Sequence, residues 1–302
     1  MIPVVIDTDP GIDDALALLL ACNSRELGIE AITTVAGNVP VEQATINLLR
    51  VLELRRPRPL PVIAAGAAAP LARPLVTAQG FHGRDGMGDL DGWPDVTVPL
   101  MPGGVDVLVD AARRHGPRLT VIALGPLTNV ALALRAKEDV LRTVGRLVIM
   151  GGAVDVPGNV TPAAEFNAHV DPDALREVVS AGLTIDLVSL DATRQALLMA
   201  ADLDAALERA PDGLASRVRS IAAVGMQKEL VGGVTGMAMH DPLAVAVAVD
   251  PGLVEWEWLR LRIGPEGETR RAPGTPTCRM ARRVDHARFR SFLVQRLGAA
   301  PS

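Results

Sequence analysis

Four aspartates, Asp7, Asp9, Asp13 and Asp14, fall within eight positions of the stretch "VVIDTDPGIDDALALLLA" (4–21). A carboxylate ahead of an apolar helical run is ordinary capping chemistry. Asp13 suits an N-cap, and Asp14 in the first turn suits the positive end of the macrodipole. Asp9 is left over, because a strand–Pro–Gly turn puts it beside Asp13 and Asp14. Carboxylates that close either share a proton or hold a cation between them. The donors at hand are oxygens, with no thiolate and no histidine cluster, so the cation would be hard, Ca²⁺ or Mg²⁺. A flexible carboxylate set with a backbone carbonyl suits Ca²⁺ better. Pure capping is the plainer alternative.

A second acidic element is "MHDPLAVAVAVD" (239–250). Pro242 stands where a first helical residue belongs and Asp241 where its cap belongs. His240, just ahead, is of a type that can give a proton to a leaving group near neutral pH, or simply a structural residue at a helix start.

These residues need a frame. "PVVID" (3–7), "IEAITTVAG" (29–37), "LPVIAAG" (60–66), "RLTVIAL" (118–124), "RLVIMGG" (146–152) and "LTIDLVSL" (183–190) read as strands. Helical patterns lie between them over 13–21, 41–54, 104–115 and 127–136, and further helices are expected over 202–209, 213–230, from His240 or Asp241, and around 285–297. The β-α-β-α rhythm predicts an α/β fold, an open, mostly parallel sheet flanked by helices. No linker or repeat divides residues 1–302, so a single domain is expected. Strand exits at Asp7–Asp9, Gly37–Asn38, Leu124–Gly125 and Met150–Gly151 are polar or Gly-rich. In an open parallel sheet, ligands bind outside the carboxyl ends of the strands, so these exits would surround one crevice. Two long polar loops, 77–92 and 151–171, are the natural places for further site residues.

Composition narrows the partners. With 49% hydrophobic residues and a formal charge of -5, the chain can fill a core and lacks the basic stripe that a nucleic-acid polymer requires. Cys22 and Cys278 have no metal-ligand spacing. The N-terminus enters a strand at once, without an export signal, and runs such as "ALALLLA" are too short to span a bilayer. A cytoplasmic, membrane-free protein is expected.

The set "DTDPGIDDALAL", "AGN", "FHGRDGMG", "ALGPLTNVALAL", "IMGGA", "GN…EFNAHVDPDA" and "HDPLAVA" resembles the nucleoside hydrolase family, the inosine-uridine-preferring enzymes that cut the N-glycosidic bond of ribonucleosides. The resemblance runs from Val4 to about Asp250, in order and with compatible spacing. It implies a Ca²⁺ held by Asp9, Asp14, Asp241 and the backbone carbonyl of Leu124, with Asp9 also taking the proton of the attacking water. Asp13 and Asn167 would hold the ribose 2′-hydroxyl and Asp241 the 3′-hydroxyl. Asn159 and Glu165 would bind the 5′-hydroxyl, while Asn38 and Met150 line the sugar pocket. His240 would lie on the base side as the acid, with His82 near it. Phe166 is either a core aromatic or a substrate contact. Asp7 would support the loop rather than touch the metal. The family usually assembles as dimers or tetramers, which makes a homo-oligomer the expectation.

The chain departs from that pattern in having no tyrosine. Many relatives place tyrosines just before "HDP", over the leaving base. Here the stretch reads "AAVGMQKELVGGVTGMAMHDP" (222–242), where Gln227 could pair with a pyrimidine edge. With His82, this leans toward pyrimidine nucleosides. Two other readings stay open: a phosphatase of the haloacid dehalogenase type, suggested by the "DTD" after a strand, and a protein that binds ribose or a nucleoside without turning it over.

Overall fold

The computed structural model describes residues 1–93, 96 and 101–299. Among these residues there are twelve strands: β1 (Ile2–Thr8), β2 (Leu27–Thr34), β3 (Val62–Ala65), β4 (Met101–Pro102), β5 (Thr120–Ala123), β6 (Arg146–Met150), β7 (Ile185–Val188), β8 (Leu197–Leu198), β9 (Met237–Ala238), β10 (Val254–Ile263), β11 (Thr269–Ala272) and β12 (Cys278–Val284). Ten of them make one sheet, in the order β11-β10-β12-β7-β6-β5-β1-β2-β3-β4. Within this sheet β10 alone runs opposite to the other nine strands. The remaining pair, β8 and β9, forms a small antiparallel ladder. The expected α/β class and mostly parallel sheet are what the chain adopts.

The strand order places the site. From β1 the chain winds outward through β2, β3 and β4, then returns to the other flank of β1 as β5 and winds the opposite way through β6 and β7. The direction therefore reverses between β1 and β5. That switch point is where an open α/β sheet leaves a crevice at the carboxyl ends of its strands. Asp9 follows β1 and Leu124 follows β5, so the two meet there.

Apolar packing covers both faces. On one side lie helices Ile12–Cys22, Val41–Arg55, Asp212–Val231, His240–Val249 and His286–Arg296. On the other lie Gly104–His115, Thr128–Ala136 and Pro172–Ser180. Strand β1, with Val4, Val5 and Ile6 fully buried, is covered on both faces, which accounts for its unbroken apolar run. Helix Ile12–Cys22 is buried between the sheet and three other helices, and beyond the first-turn Asp13 and Asp14 its sequence is accordingly apolar all round.

Two helix caps differ from expectation. Gly11, not Asp13, is the N-cap of Ile12–Cys22, and the Asp14 carboxylate reaches back to accept the Gly11 N–H at 2.9 Å. This frees Asp13 from capping. Helix His240–Val249 begins at His240 with Met239 as its cap, so Asp241 sits inside the first turn and Pro242 after it. Proline is tolerated there because first-turn N–H groups have no intrahelical partner. The strand expected over 183–190 stops at Val188, where Ser189 opens a turn of helix, Leu190–Thr193. Strands β4, β8 and β9, two residues each, were not expected.

Candidate active site

Four carboxylates meet at the switch point. Asp9, Asp13, Asp14 and Asp241 are all buried. Oxygens of Asp13, Asp14 and Asp241 lie within 4.8 Å of one another, a grouping able to hold a metal ion. Asp14 is held from three directions: Thr8 Oγ1 donates to Oδ1 at 2.5 Å, and Gly11 N and Asn38 Nδ2 donate to Oδ2 at 2.9 and 3.1 Å. Asp9 Oδ2 accepts the Asn38 N–H at 2.6 Å. Its Oδ1 is buried and has no hydrogen-bond partner among the described residues. The backbone closes tightly around this carboxylate. A Cβ on Gly37 would stand 2.0 Å from Oδ2, and one on Gly125 2.6 Å from Oδ1, so only glycine fits at either exit.

Crowding acidic groups away from water raises their proton affinity. Burial, then Asp14, pushes Asp13 up to about 8. Burial and Asp14 likewise hold Asp9 and Asp241 well above the usual carboxylate range. Such a cluster is stable with protons or with a cation; the grouping within reach of one ion is Asp13, Asp14 and Asp241, with Asp9 Oδ1 buried and unpartnered beside it. Leu124 O, the expected carbonyl donor, accepts Asn167 Nδ2 at 2.6 Å. The donor set is all oxygen, which fits a hard cation.

Above the cluster opens a cavity of about 370 Å³. Asp13, Asp241, Asn38, Leu124, Met150 and Asn167 line its inner part, while Asp9 and Asp14 lie beneath it. Asn159, Glu165 and Phe166 contribute one wall. Glu165 is also a cap: its carboxylate accepts Gly152 N, Asn167 N and Ala168 N, which fixes the helical turn Phe166–Val170. Asn159 Oδ1 accepts Phe166 N at 2.9 Å and leaves its Nδ2 for the cavity. Asp7 stays out of the cavity, as expected, accepting from Thr33 and from Asn129, which in turn ties the ends of β1, β2 and the turn after β3.

Both histidines reach the cavity. His82 Nδ1 accepts the Ile12 N–H at 3.1 Å, and burial, His240 and Lys228 lower its pKa to about 3. A backbone N–H can only donate, so the single proton of this neutral ring must sit on Nε2. His240 Nδ1 lies 2.7 Å from Thr193 Oγ1, and burial followed by Arg194 lowers its pKa to about 4. Both rings are therefore hydrogen-bonding imidazoles at neutral pH rather than imidazolium acids.

Gln227 is a correction. It is exposed and absent from the cavity lining, whereas Glu229 lines it. At roughly 3.6 residues per turn the two point about 200° apart. The inward stripe of this helix runs Leu214, Val218, Ile221, Ala222 and Gly225, and Glu229 continues it. That periodicity was present in the sequence and would have selected Glu229. Arg194, Phe81, Leu197 and Val234, also on the lining, were missed as well. Gln227→Ala is expected to keep kcat/KM within about twofold for each nucleoside tried, as exposed positions usually do. Glu229→Ala should change the ranking among nucleosides. A rate panel checks both, and identical panels for the two variants would remove the distinction.

Comparison with known proteins agrees with this geometry. A profile of the inosine-uridine preferring nucleoside hydrolase family matches residues 4–291. The chain is 38% identical over 255 residues to the pyrimidine-specific ribonucleoside hydrolase RihA of Enterobacter sp. (strain 638), covering 83% of this chain and 80% of that one. Among solved structures, the purine-preferring ribonucleoside hydrolase from Gardnerella vaginalis superposes with a TM-score of 0.91 at 28% identity, covering 98% of each chain. A plant nucleoside hydrolase gives 0.89 at 31% identity, with 98% and 99% covered. The match spans nearly the whole chain and leaves the haloacid dehalogenase alternative without support. Fold, acidic cluster and likeness converge: the chain belongs to the inosine-uridine preferring nucleoside hydrolase family and is an enzyme that hydrolyses ribonucleosides.

Proposed function

We propose that this enzyme cleaves the N-glycosidic bond of ribonucleosides in a calcium-dependent reaction, releasing free base and ribose, with a lean toward pyrimidine nucleosides. The observation that carries the calcium reading is the dry carboxylate cluster with the unpartnered Asp9 Oδ1. Asp9, Asp14, Asp241 and the Leu124 carbonyl would hold the ion. Bound there, Ca²⁺ supplies positive charge that makes an attacking water more acidic. Asp9, beside the ion, would also take the proton of that water through its carboxylate. Asp13 and Asn167 hold the ribose 2′-hydroxyl and Asp241 the 3′-hydroxyl. As the C1′–N bond breaks, positive charge grows on the ribose, and the surrounding carboxylates favour it where it develops. Asn159 and Glu165 receive the 5′-hydroxyl; Glu165 Oε2 already accepts Gly152 N and Ala168 N, and Oε1, which accepts only Asn167 N, keeps a lone pair for it. Asn38 and Met150 close the sugar pocket, with Phe166 on its wall. His82 and His240 face the leaving base, which the Nε2–H of His82 can meet as a hydrogen-bond donor.

The pyrimidine lean rests on the likeness to the pyrimidine-specific relative. The purine-preferring structural neighbour argues for testing both classes. A panel of uridine, cytidine, inosine and adenosine, with chromatographic detection of base and ribose, is the direct experiment. Equal amounts of both products, lost on chelation and restored by calcium, are expected. Tight nucleoside binding without base release would instead favour a binding protein. A single domain, a homodimer or homotetramer, and a cytoplasmic location complete the reading; no helix among the described residues is long and apolar enough to cross a membrane.

Calcium affinity should depend on pH with a defined sign. Asp13 is raised to about 8 and Asp9 and Asp241 are raised as well, so protons compete with the ion below that range. Affinity is therefore expected to rise from pH 6 to pH 8. Without calcium, the folded state binds more protons than the unfolded chain over this window, so its stability should fall as pH rises. Calorimetric titrations at several pH values check the first trend and thermal melts in chelator the second. A flat affinity profile would mean that the ligands are already ionised.

A further inference from the structure

Helix Leu190–Thr193 had no place in the expected site, yet residues on it and beside it hold two elements that line the cavity, the 151–171 loop and His240. Asp191, buried, accepts Val154 N and Asp155 N at 2.9 and 2.8 Å and so pins the start of the 151–171 loop. Arg194 donates to the carbonyls of Pro157 and Gly158 at 2.8 and 3.0 Å, directly ahead of Asn159. Between them, fully buried Thr193 brings Oγ1 to 2.7 Å from Nδ1 of His240. One helical turn thus sets both the loop that carries Asn159 and the ring that faces the base.

The direction of the Thr193–His240 hydrogen bond decides what the ring can do. A hydroxyl can donate or accept, and a neutral imidazole carries one proton. If Thr193 accepted, Nε2 would present a bare lone pair to a cavity that holds Asp13, Asp241 and Glu229, whose lining cation Arg194 already donates to the Pro157 and Gly158 carbonyls, and that receives a base gathering negative charge. If Thr193 donates, Nε2 carries the proton and meets that charge with an N–H. Nothing else among the described residues bonds Thr193 Oγ1, so the hydroxyl is free to donate.

We propose that Thr193 is a positioning residue whose hydroxyl donates to His240 Nδ1 and turns the Nε2–H of that ring toward the departing base. This rests on the reading of His240 as a base-side group. It extends that reading by naming the residue that fixes the tautomer and orientation of the ring, a role that partners of functional histidines commonly fill.

The test compares Thr193→Val, which keeps the shape, with Thr193→Ser, which keeps the hydroxyl, on two substrates. One substrate is the fastest natural nucleoside of the panel; the other is p-nitrophenyl riboside, whose nitrophenolate leaves unaided. Thr193→Val should lose about tenfold in kcat/KM on the nucleoside, as loss of a histidine-orienting partner does. It should stay near wild type on the activated riboside, and Thr193→Ser should stay near wild type on both. Nitrogen-15 imidazole spectra of the free protein give a readout independent of turnover. The His240 resonances, identified with His240→Ala, should show an Nε2–H tautomer that Thr193→Val abolishes. Unchanged nucleoside rates in Thr193→Val, equal losses on both substrates, or an Nδ1–H tautomer in the wild type would each overturn the assignment. If His240→Ala shows the selective loss and Thr193→Val does not, only the Thr193 step falls. If His240→Ala loses equally on both substrates, the reading of His240 falls and the proposal with it.

Discussion

Asp14→Ala is expected to abolish calcium binding and to lower kcat by at least about 10³-fold, the upper range for removing one preorganised electrostatic group. Asp14 has the greatest reach of the four carboxylates. It is the first electrostatic cause, after burial, of the raised proton affinity of Asp9, Asp13 and Asp241. It also accepts from Thr8, Gly11 and Asn38, and Asn38 in turn donates to Asp9. Truncation therefore removes a proposed ligand and loosens the turn that aims a second one. Asp14→Asn separates the two effects. Its amide oxygen can go on accepting from Gly11 and Asn38 while its amide nitrogen donates to the Thr8 hydroxyl, so it should keep most thermal stability yet, without the charge, still fail to bind calcium. Calorimetric calcium titration and steady-state rates on one nucleoside check both variants. Turnover near wild type in a metal-free Asp14→Ala protein would remove calcium from the reaction.

The parts of this site legible in the sequence are those whose chemistry is local. Asp9, Asp13 and Asp14 announce themselves because like charges so close need an external reason to coexist. Strands β1, β5 and β6 are apolar runs bounded by Pro, Gly or Asp, and helix Gly104–His115 has the bounds its periodicity indicates. The errors came where a specific side-chain contact decides the outcome, within one turn in two cases and across the chain in others. Two acidic residues in a row leave the cap ambiguous, and the reach of Asp14 back to Gly11 settles it. Residues 183–190 read as one strand because the break at Ser189 is a single small residue whose partner, Asp191, lies within the next turn. Thr193 and Arg194 had no local signature at all. Their roles exist only because the fold brings His240 and the Pro157–Gly158 carbonyls to them. Gln227 was a different kind of miss: its side-chain chemistry was weighed without the phase of its helix, which turns it to solvent.

The chain has no tyrosine, and the aromatic-nitrogen groups that reach the cavity are those of two histidines, His82 and His240. With pKa values lowered to about 3 and about 4, His82 and His240 are neutral at pH 7 and give N–H hydrogen bonds instead of storing a proton. His240→Ala is expected to cost about 10²-fold on a natural nucleoside, the low end of general acid catalysis, and little on p-nitrophenyl riboside. His82→Ala should show the same selectivity, because its Nε2–H is fixed by the Ile12 N–H at Nδ1. The sign of the pH effect follows from the direction of the shifts. An imidazolium acid with an ordinary pKa would be lost as pH rises through about 6.5. Rings already neutral cannot be lost that way, so kcat should show no falling limb between pH 5.5 and about 7.5 attributable to either histidine. Rate profiles of the two single variants and the double variant on both substrates measure this. A falling limb near pH 6.5 that disappears in His240→Ala would mean that substrate binding restores the charged ring, and His240 would then act as a true proton donor. Equal losses on both substrates in both variants would instead move the histidines from the base to the sugar, leaving Arg194 and Glu229 as the polar groups facing the base.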